Sequence, residues 1–342
     1  MLKPTKNIFF SIKTGLMVTI SLLLCMNAYA GDSWDKEREK AKALITIEKL
    51  EREVSFLSSQ ICQGRASGTG GNHEAAMWVR RKFEGAGLAA MTSSWTQGFN
   101  IREELNGHNV IGMLPAAKTI RCDRYIIVGA HYDHIGVLEG KLYPGADSNA
   151  SGVTALTSLA EIFGAMRKMG KIYDHNIIFV AFDANEYDMK GSYALWDLME
   201  AGGLCNPLTG ETIKKEDISL MVNIDQVGSS LSPLNSNRKD YMIMLGEWSL
   251  AKKDKEVLYR SNIESGLGMD LGLDYYGSEN FTDIFYKLSD QKVFVEHKMP
   301  AVMFTSGITM NNNKTWDRTE NMDLDIYHKR IYLMYHWIEK MM

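Results

Sequence analysis

The chain has 342 residues, of which 45% are hydrophobic, 23% charged and 10% aromatic, and its formal charge is −4. This is the composition of a folded globular protein, and it excludes disorder, collagen-like repeats and a polytopic membrane protein. Residues 1–30 hold three of the 38 basic residues and no acid. The remainder therefore carries 35 basic against 42 acidic residues, a formal −7 with no basic stripe, which excludes nucleic acid as the expected partner.

Lys3, Lys6 and Lys13 precede the apolar run Gly15 to Cys25, and Ala28-Tyr29-Ala30 precedes Gly31. A charged start, an apolar core and a small-x-small site make a cleavable signal peptide, with the cut after Ala30. The run is too short for a membrane span, which needs about 20 apolar residues. A secreted or periplasmic protein is expected, with no membrane contact once residues 1–30 are removed. Residues 31–342 then form one domain with an N-terminal helical extension at about 34–60. Cys62, Cys122 and Cys205 remain after cleavage; export permits one disulfide and leaves an odd thiol, and their spacing is not that of a zinc finger.

Leu44, Ile45, Ile47, Leu50, Val54 and Leu57 recur at helical spacing and predict a surface helix over 34–60. Gly64-Arg65-Ala66-Ser67-Gly68-Thr69-Gly70-Gly71 lacks the Lys-Ser/Thr ending of a phosphate cradle, so it reads as a turn before a helix at 73–87. Beyond residue 107, apolar β-branched runs alternate with helical stretches. Strands are expected at 125–130, 176–182, 220–224, 241–245 and 301–305, and helices at 151–168, 190–201, 248–265 and 323–341. Residues 202–217, 228–239 and 306–322 read as loops. Near-continuous apolar strands separated by helices predict an α/β fold, with a mostly parallel central sheet covered by helices on both faces.

In such sheets ligands bind beyond the carboxyl ends of strands. Here strand 125–130 runs into His131-Tyr132-Asp133-His134, strand 176–182 into Asp183-Ala184-Asn185-Glu186, and strand 220–224 into Asp225. An imidazole and carboxylates from different strands converge readily on a borderline cation such as zinc, and Asp133 stands where it would orient His131.

These motifs, together with Asn109-Val110-Ile111-Gly112, the loop Pro144 to Gly152, Met299-Pro300-Ala301-Val302 and Trp316-Asp317, resemble those of the secreted zinc aminopeptidases with a co-catalytic metal pair. That family also includes glutamate carboxypeptidase, glutaminyl cyclase and the transferrin receptor ectodomain. The resemblance spans roughly Cys62 to the C-terminus and implies the zinc-exopeptidase fold. It also implies two zinc ions on five ligands, one of them a bridging Asp, and a Glu general base. His131, Glu186 and Asp225 match three metal positions. The bridging Asp, three residues before Ser151-Gly152, is Ser148; the general base is Asn185; the last metal-binding His, four residues before Asp317, is Asn313.

Loss of a general base costs about 10²–10⁴ in rate. Loss of the bridging carboxylate leaves Glu186 alone at one site and His131 with Asp225 at the other. The departures imply a catalytically degenerate homologue with at most one weakly held zinc, and a cleft that binds a peptide or protein ligand. The alternative is an active metallo-aminopeptidase with a rearranged or single-metal centre, in which His134, Asp147 or Asp183 supplies a missing ligand. His297 is a further imidazole to locate. Cyclase-like acyl transfer needs the same Asp and His positions and ranks below both.

Overall fold

The computed structural model describes residues 34–117, 122–230, 240–275 and 277–342. The chain divides into two compact units, Met1–Lys40 and Ala41–Met342. The expected signal peptide lies outside the described residues. Helix α1 (Asp35–Lys42) begins with an Arg38–Asp35 ion pair at 3.0 Å.

The stretch expected as one helix over 34–60 is two. Thr46 is extended (φ −100°, ψ 159°) and its side chain accepts from Lys49 N, so it starts α2 (Ile47–Leu57) afresh. Leu50, Val54 and Leu57 are buried along one face of α2. The glycine-rich segment then turns into α3 (Gly70–Ala86), which Thr69 caps. Gly64 sits at φ +64° with Tyr143 O 2.4 Å from where a Cβ would lie, so only glycine fits this crossing.

Eleven strands follow in chain order among the described residues: β1 (Ala89–Ala90), β2 (Thr96–Arg102), β3 (Leu105–Leu114), β4 (Tyr125–His131), β5 (Gly136–Leu138), β6 (Lys141–Tyr143), β7 (Asn176–Phe182), β8 (Ile218–Ile224), β9 (Tyr241–Leu245), β10 (Asp270–Gly272) and β11 (Ala301–Thr305). All but β5 and β6 form a nine-stranded sheet ordered β1-β3-β7-β4-β8-β11-β9-β10, with β2 on β3. The centre is parallel: β4 pairs with both β7 and β8, and β11 with β8. The antiparallel pairs are β1–β3, β2–β3, β3–β7 and β9–β11. The central strands β4 and β7 are buried at every residue, as expected of strands covered on both faces.

The remaining helices are α4 (Gly152–Lys168), α5 (Lys190–Glu200), α6 (Lys252–Glu264), α7 (Glu279–Tyr286), α8 (Gln291–Glu296) and α9 (Leu324–Met341). On one face of the sheet Ile127, Ile178, Val180 and Met221 pack with Trp196 of α5 and Phe294 of α8. Aromatic pairs bind the other layer: Phe83 of α3 to Phe179, Phe163 of α4 to Tyr335 of α9, and Phe304 of β11 to Trp337. Tyr335 and Trp337 thus pack α9 into this layer. Helix α4 is buried nearly all round, which explains its apolar sequence. Cys62, Cys122 and Cys205 are free thiols. Among the described residues no helix is long and apolar enough to cross a membrane.

Candidate functional site

Because β7, β4 and β8 are neighbours in the sheet, their carboxyl ends bring together groups distant in sequence. A cleft of about 320 Å³ opens there, within the range of small-ligand sites. His131, Ser148, Asn185, Glu186, Asp225 and Asn313 all line it. One wall is apolar, built from Met189, Tyr275, Phe285, Leu288, Met303 and Ile308, and Gln226, Ser289, Thr305 and Asn312 add neutral polar groups. Among the described lining residues there is no Lys or Arg.

His131 is buried between two carboxylates. Its Nδ1 is 3.1 Å from Asp133 O and 3.6 Å from Asp133 Oδ1, and its Nε2 is 3.6 Å from Asp225 Oδ1. Burial opposes the imidazolium, but Asp133 and Asp225 outweigh it and hold the His131 pKa well above the usual histidine value. Burial likewise opposes the Asp225 carboxylate, and His131 reverses that, leaving its pKa below the usual range. The Asp133 carboxylate also accepts the backbone N–H groups of Asn185 and Glu186, both at 3.0 Å, so one side chain orients His131 and the turn after β7.

In the loop before α4, Ser148 lines the cleft and Asp147 does not. Asp147 turns away from the cleft: its Oδ1 accepts from Gly228 N at 2.8 Å and from Ser151 Oγ at 3.0 Å. Asp317 holds the same loop from the other side, accepting from Asp147 N (2.9 Å) and Ser148 N (3.0 Å). Burial and the nearby Asp147 push the Asp317 carboxyl up to about 7. Gly145 opens the loop at φ +58°, and a Cβ there would lie 2.4 Å from the His134 ring. The Ser148–Asn149 peptide bond is cis.

None of the other candidate ligands lines the cleft. Asp183 accepts from Ser67 Oγ, Asn72 Nδ2, His108 N and Ala184 N, bracing the glycine-rich turn against β3 and β7. His134 is buried behind the cleft with Nδ1 3.4 Å from Glu186 Oε1, and burial lowers its pKa. His297 stacks on Trp196 at 4.0 Å and donates Nδ1–H to Val293 O, away from the site.

A zinc pair needs deprotonated donors grouped in tetrahedral sets. Among the described residues no three His, Cys, Asp or Glu are grouped to hold a metal ion. The hydroxyl of Ser148 and the amide of Asn313 are poor zinc donors. The residues present do not fit the metal pair.

Sequence reasoning missed Asp290, which follows α7 without any motif. Its Oδ2 accepts from Asn185 Nδ2 at 3.0 Å, fixing the carboxamide, while its buried Oδ1 has no hydrogen-bond partner. Burial pushes this carboxyl from 3.8 up to about 7. The folded chain therefore keeps a proton that the unfolded chain releases, and stability falls as pH rises between those values. Asp290→Asn is expected to flatten the stability curve in that interval, by up to a few kcal/mol. Urea midpoints of both proteins across this pH range check it; parallel curves would refute it.

The fold is shared with solved aminopeptidases and a glutaminyl cyclase. The Legionella pneumophila aminopeptidase LapA superposes with a TM-score of 0.65 at 17% identity, covering 89% of this chain and 74% of LapA. Porphyromonas gingivalis glutaminyl cyclase gives 0.63 at 14% identity, covering 87% of this chain and 99% of the cyclase. BSAP, a zinc aminopeptidase from Bacillus subtilis, gives 0.52 at 18% identity over 69% of this chain and 50% of BSAP. The model of peptidase family M28 matches residues 109–337, well over half of the sequence and including all three strands that carry the site, and the chain belongs to that family.

Proposed function

We propose that this protein is a secreted, catalytically degenerate member of its peptidase family that binds peptide or protein ligands in the cleft without hydrolysing them. The observation that carries the reading is the lining of that cleft, where Ser148, Asn185 and Asn313 stand beside His131, Glu186 and Asp225. A carboxamide cannot accept a proton near neutral pH, and a serine hydroxyl cannot supply the anionic charge of a bridging carboxylate. What remains suits binding: an apolar wall, neutral hydrogen-bonding groups, and the carboxylates of Glu186 and Asp225 for a cationic amine. Secretion rests on the Lys3 to Ala30 segment of the sequence.

The test is direct. Purified chain is expected to release no chromophore from leucine p-nitroanilide with or without added zinc. A fluorescent Leu-Lys-Leu peptide is expected to bind with an affinity that chelator leaves unchanged. Glu186→Gln should weaken that binding about tenfold, the loss of one charge-assisted contact. Stoichiometric zinc with chelator-sensitive turnover would replace this reading with an active aminopeptidase.

A further inference from the structure

Helix α7 presents an arrangement that the cleft alone does not explain. Phe281, Ile284 and Phe285 recur at i, i+3 and i+4, the spacing of one helical face, and Leu288 follows two residues beyond the last helical residue, Tyr286. Such a face normally turns inward, yet Phe281, Ile284 and Leu288 are 52%, 54% and 56% exposed. Phe285 and Leu288 belong at once to this stripe and to the cleft wall. The rings of Phe281 and Phe285 are 6.2 Å apart and nearly parallel, and Phe285 stacks at 4.2 Å on Tyr275, which is buried in the wall. A chain of ring contacts thus runs from Tyr275 in the cleft wall through Phe285 to the exposed Phe281 of α7, with Ile284 and Leu288 exposed beside it.

Acidic residues stand both in the cleft and on the helix. Glu186, Asp188 and Asp225 line the cleft, Glu279 and Asp283 lie on α7, and Lys287 is paired with Asp283 at 3.1 Å. We propose that this track extends the binding cleft and receives an extended polypeptide segment of a partner, one that alternates apolar side chains with lysine or arginine. The proposal rests on the binding reading above and names its ligand class. Same-side residues of an extended chain are about 6.8 Å apart against about 5.4 Å per helical turn, an offset that side chains can absorb over a helix of 8 residues, so successive apolar side chains can seat along the stripe. A second copy of this chain is the poorer occupant because its net charge is of the same sign.

The test uses the whole chain after residue 30 and three labelled peptides followed by fluorescence anisotropy. These are Leu-Lys-Leu, a nonapeptide alternating Lys and Leu, and the same nonapeptide with Glu for Lys. The Lys nonapeptide is expected to bind at least about tenfold tighter than the tripeptide, and the Glu version no tighter than the tripeptide. Phe281→Ser with Ile284→Ser, both exposed and outside the cleft, should bring the Lys nonapeptide to tripeptide affinity and leave the tripeptide unchanged. A nonapeptide that binds no tighter than the tripeptide, or that ignores the double substitution, overturns the track and leaves the cleft reading standing. A nonapeptide with Ser for Leu that binds as well as the Leu form also overturns it, as a purely electrostatic effect. Self-association abolished by the double substitution overturns it in favour of a second copy. Failure of both peptides to bind removes the cleft reading and this one together.

Discussion

Ser148→Asp combined with Asn313→His is expected to yield a chain that carries about two zinc ions after gel filtration, where the unsubstituted chain is expected to retain none. Two features favour the outcome. Asp317 anchors the Ser148 N–H, and Ser148 already lines the cleft while Asp147 is turned out by Gly228 and Ser151, so a carboxylate at 148 would enter the site. Asn313 has φ +56°, a left-handed conformation that histidine adopts more readily than most residues. Uptake should strengthen as pH rises, because His131 must surrender the proton that Asp133 and Asp225 stabilise before its nitrogen can bind metal. Adding Asn185→Glu should then raise leucine p-nitroanilide hydrolysis about 10²–10⁴-fold over the double variant. The new carboxyl would face Asp290 across the present 3.0 Å contact, and two such groups share one proton, so the gain should be larger in an Asp290→Asn background. Metal content by mass spectrometry checks the first step. A double variant that retains no zinc would show that positions 148 and 313 are misassigned.

How much of this was legible in the sequence depended on how local the determining contacts are. Strands β9 and β11 occupy the expected 241–245 and 301–305, because each is a short apolar run flanked by turn residues and buried throughout. The β2–β3 hairpin gave little such signal: Thr96–Arg102 is a largely exposed edge strand with polar and apolar residues mixed. The single helix expected over 34–60 failed at Thr46, whose capping hydrogen bond outweighs the continuing apolar periodicity. In the site, counting back from Ser151-Gly152 separated Ser148 from Asp147, since the loop and the start of α4 form one local unit. What turns Asp147 outward is Gly228 N, 81 residues away, and the wall of Tyr275, Phe285 and Ile308 comes from segments with no motif. Long-range packing of this kind leaves no periodic trace in the segments that supply it.

Arg65→Met is expected to be the most destabilising single substitution in the glycine-rich turn, lowering unfolding free energy by roughly 4 kcal/mol or more. Arg65 is fully buried. Its guanidinium donates Nε–H to Tyr132 O (2.8 Å), Nη1–H to Leu57 O (2.7 Å) and Pro144 O (2.8 Å), and Nη2–H to Gly145 O (2.8 Å). One planar fork thus ties the end of α2, the turn after β4 and the loop before α4. Methionine fills similar volume and supplies no donor, so four buried carbonyls would lose a partner at once, each worth about 1–3 kcal/mol before water or local relaxation recovers part of it. Burial lowers the Arg65 pKa, yet a guanidinium stays protonated near neutral pH. Arg65→Lys should rescue only part of the loss, because an ammonium has three donors and cannot reproduce the fork. Urea denaturation read by tryptophan fluorescence measures both variants. The same clamp sets the loops that carry His131 and Ser148, so Arg65→Met should also weaken peptide binding at temperatures where the chain remains folded. A loss under about 1 kcal/mol would mean that water replaces the guanidinium at little cost, and that the loop carrying Ser148 is held by Asp317 instead.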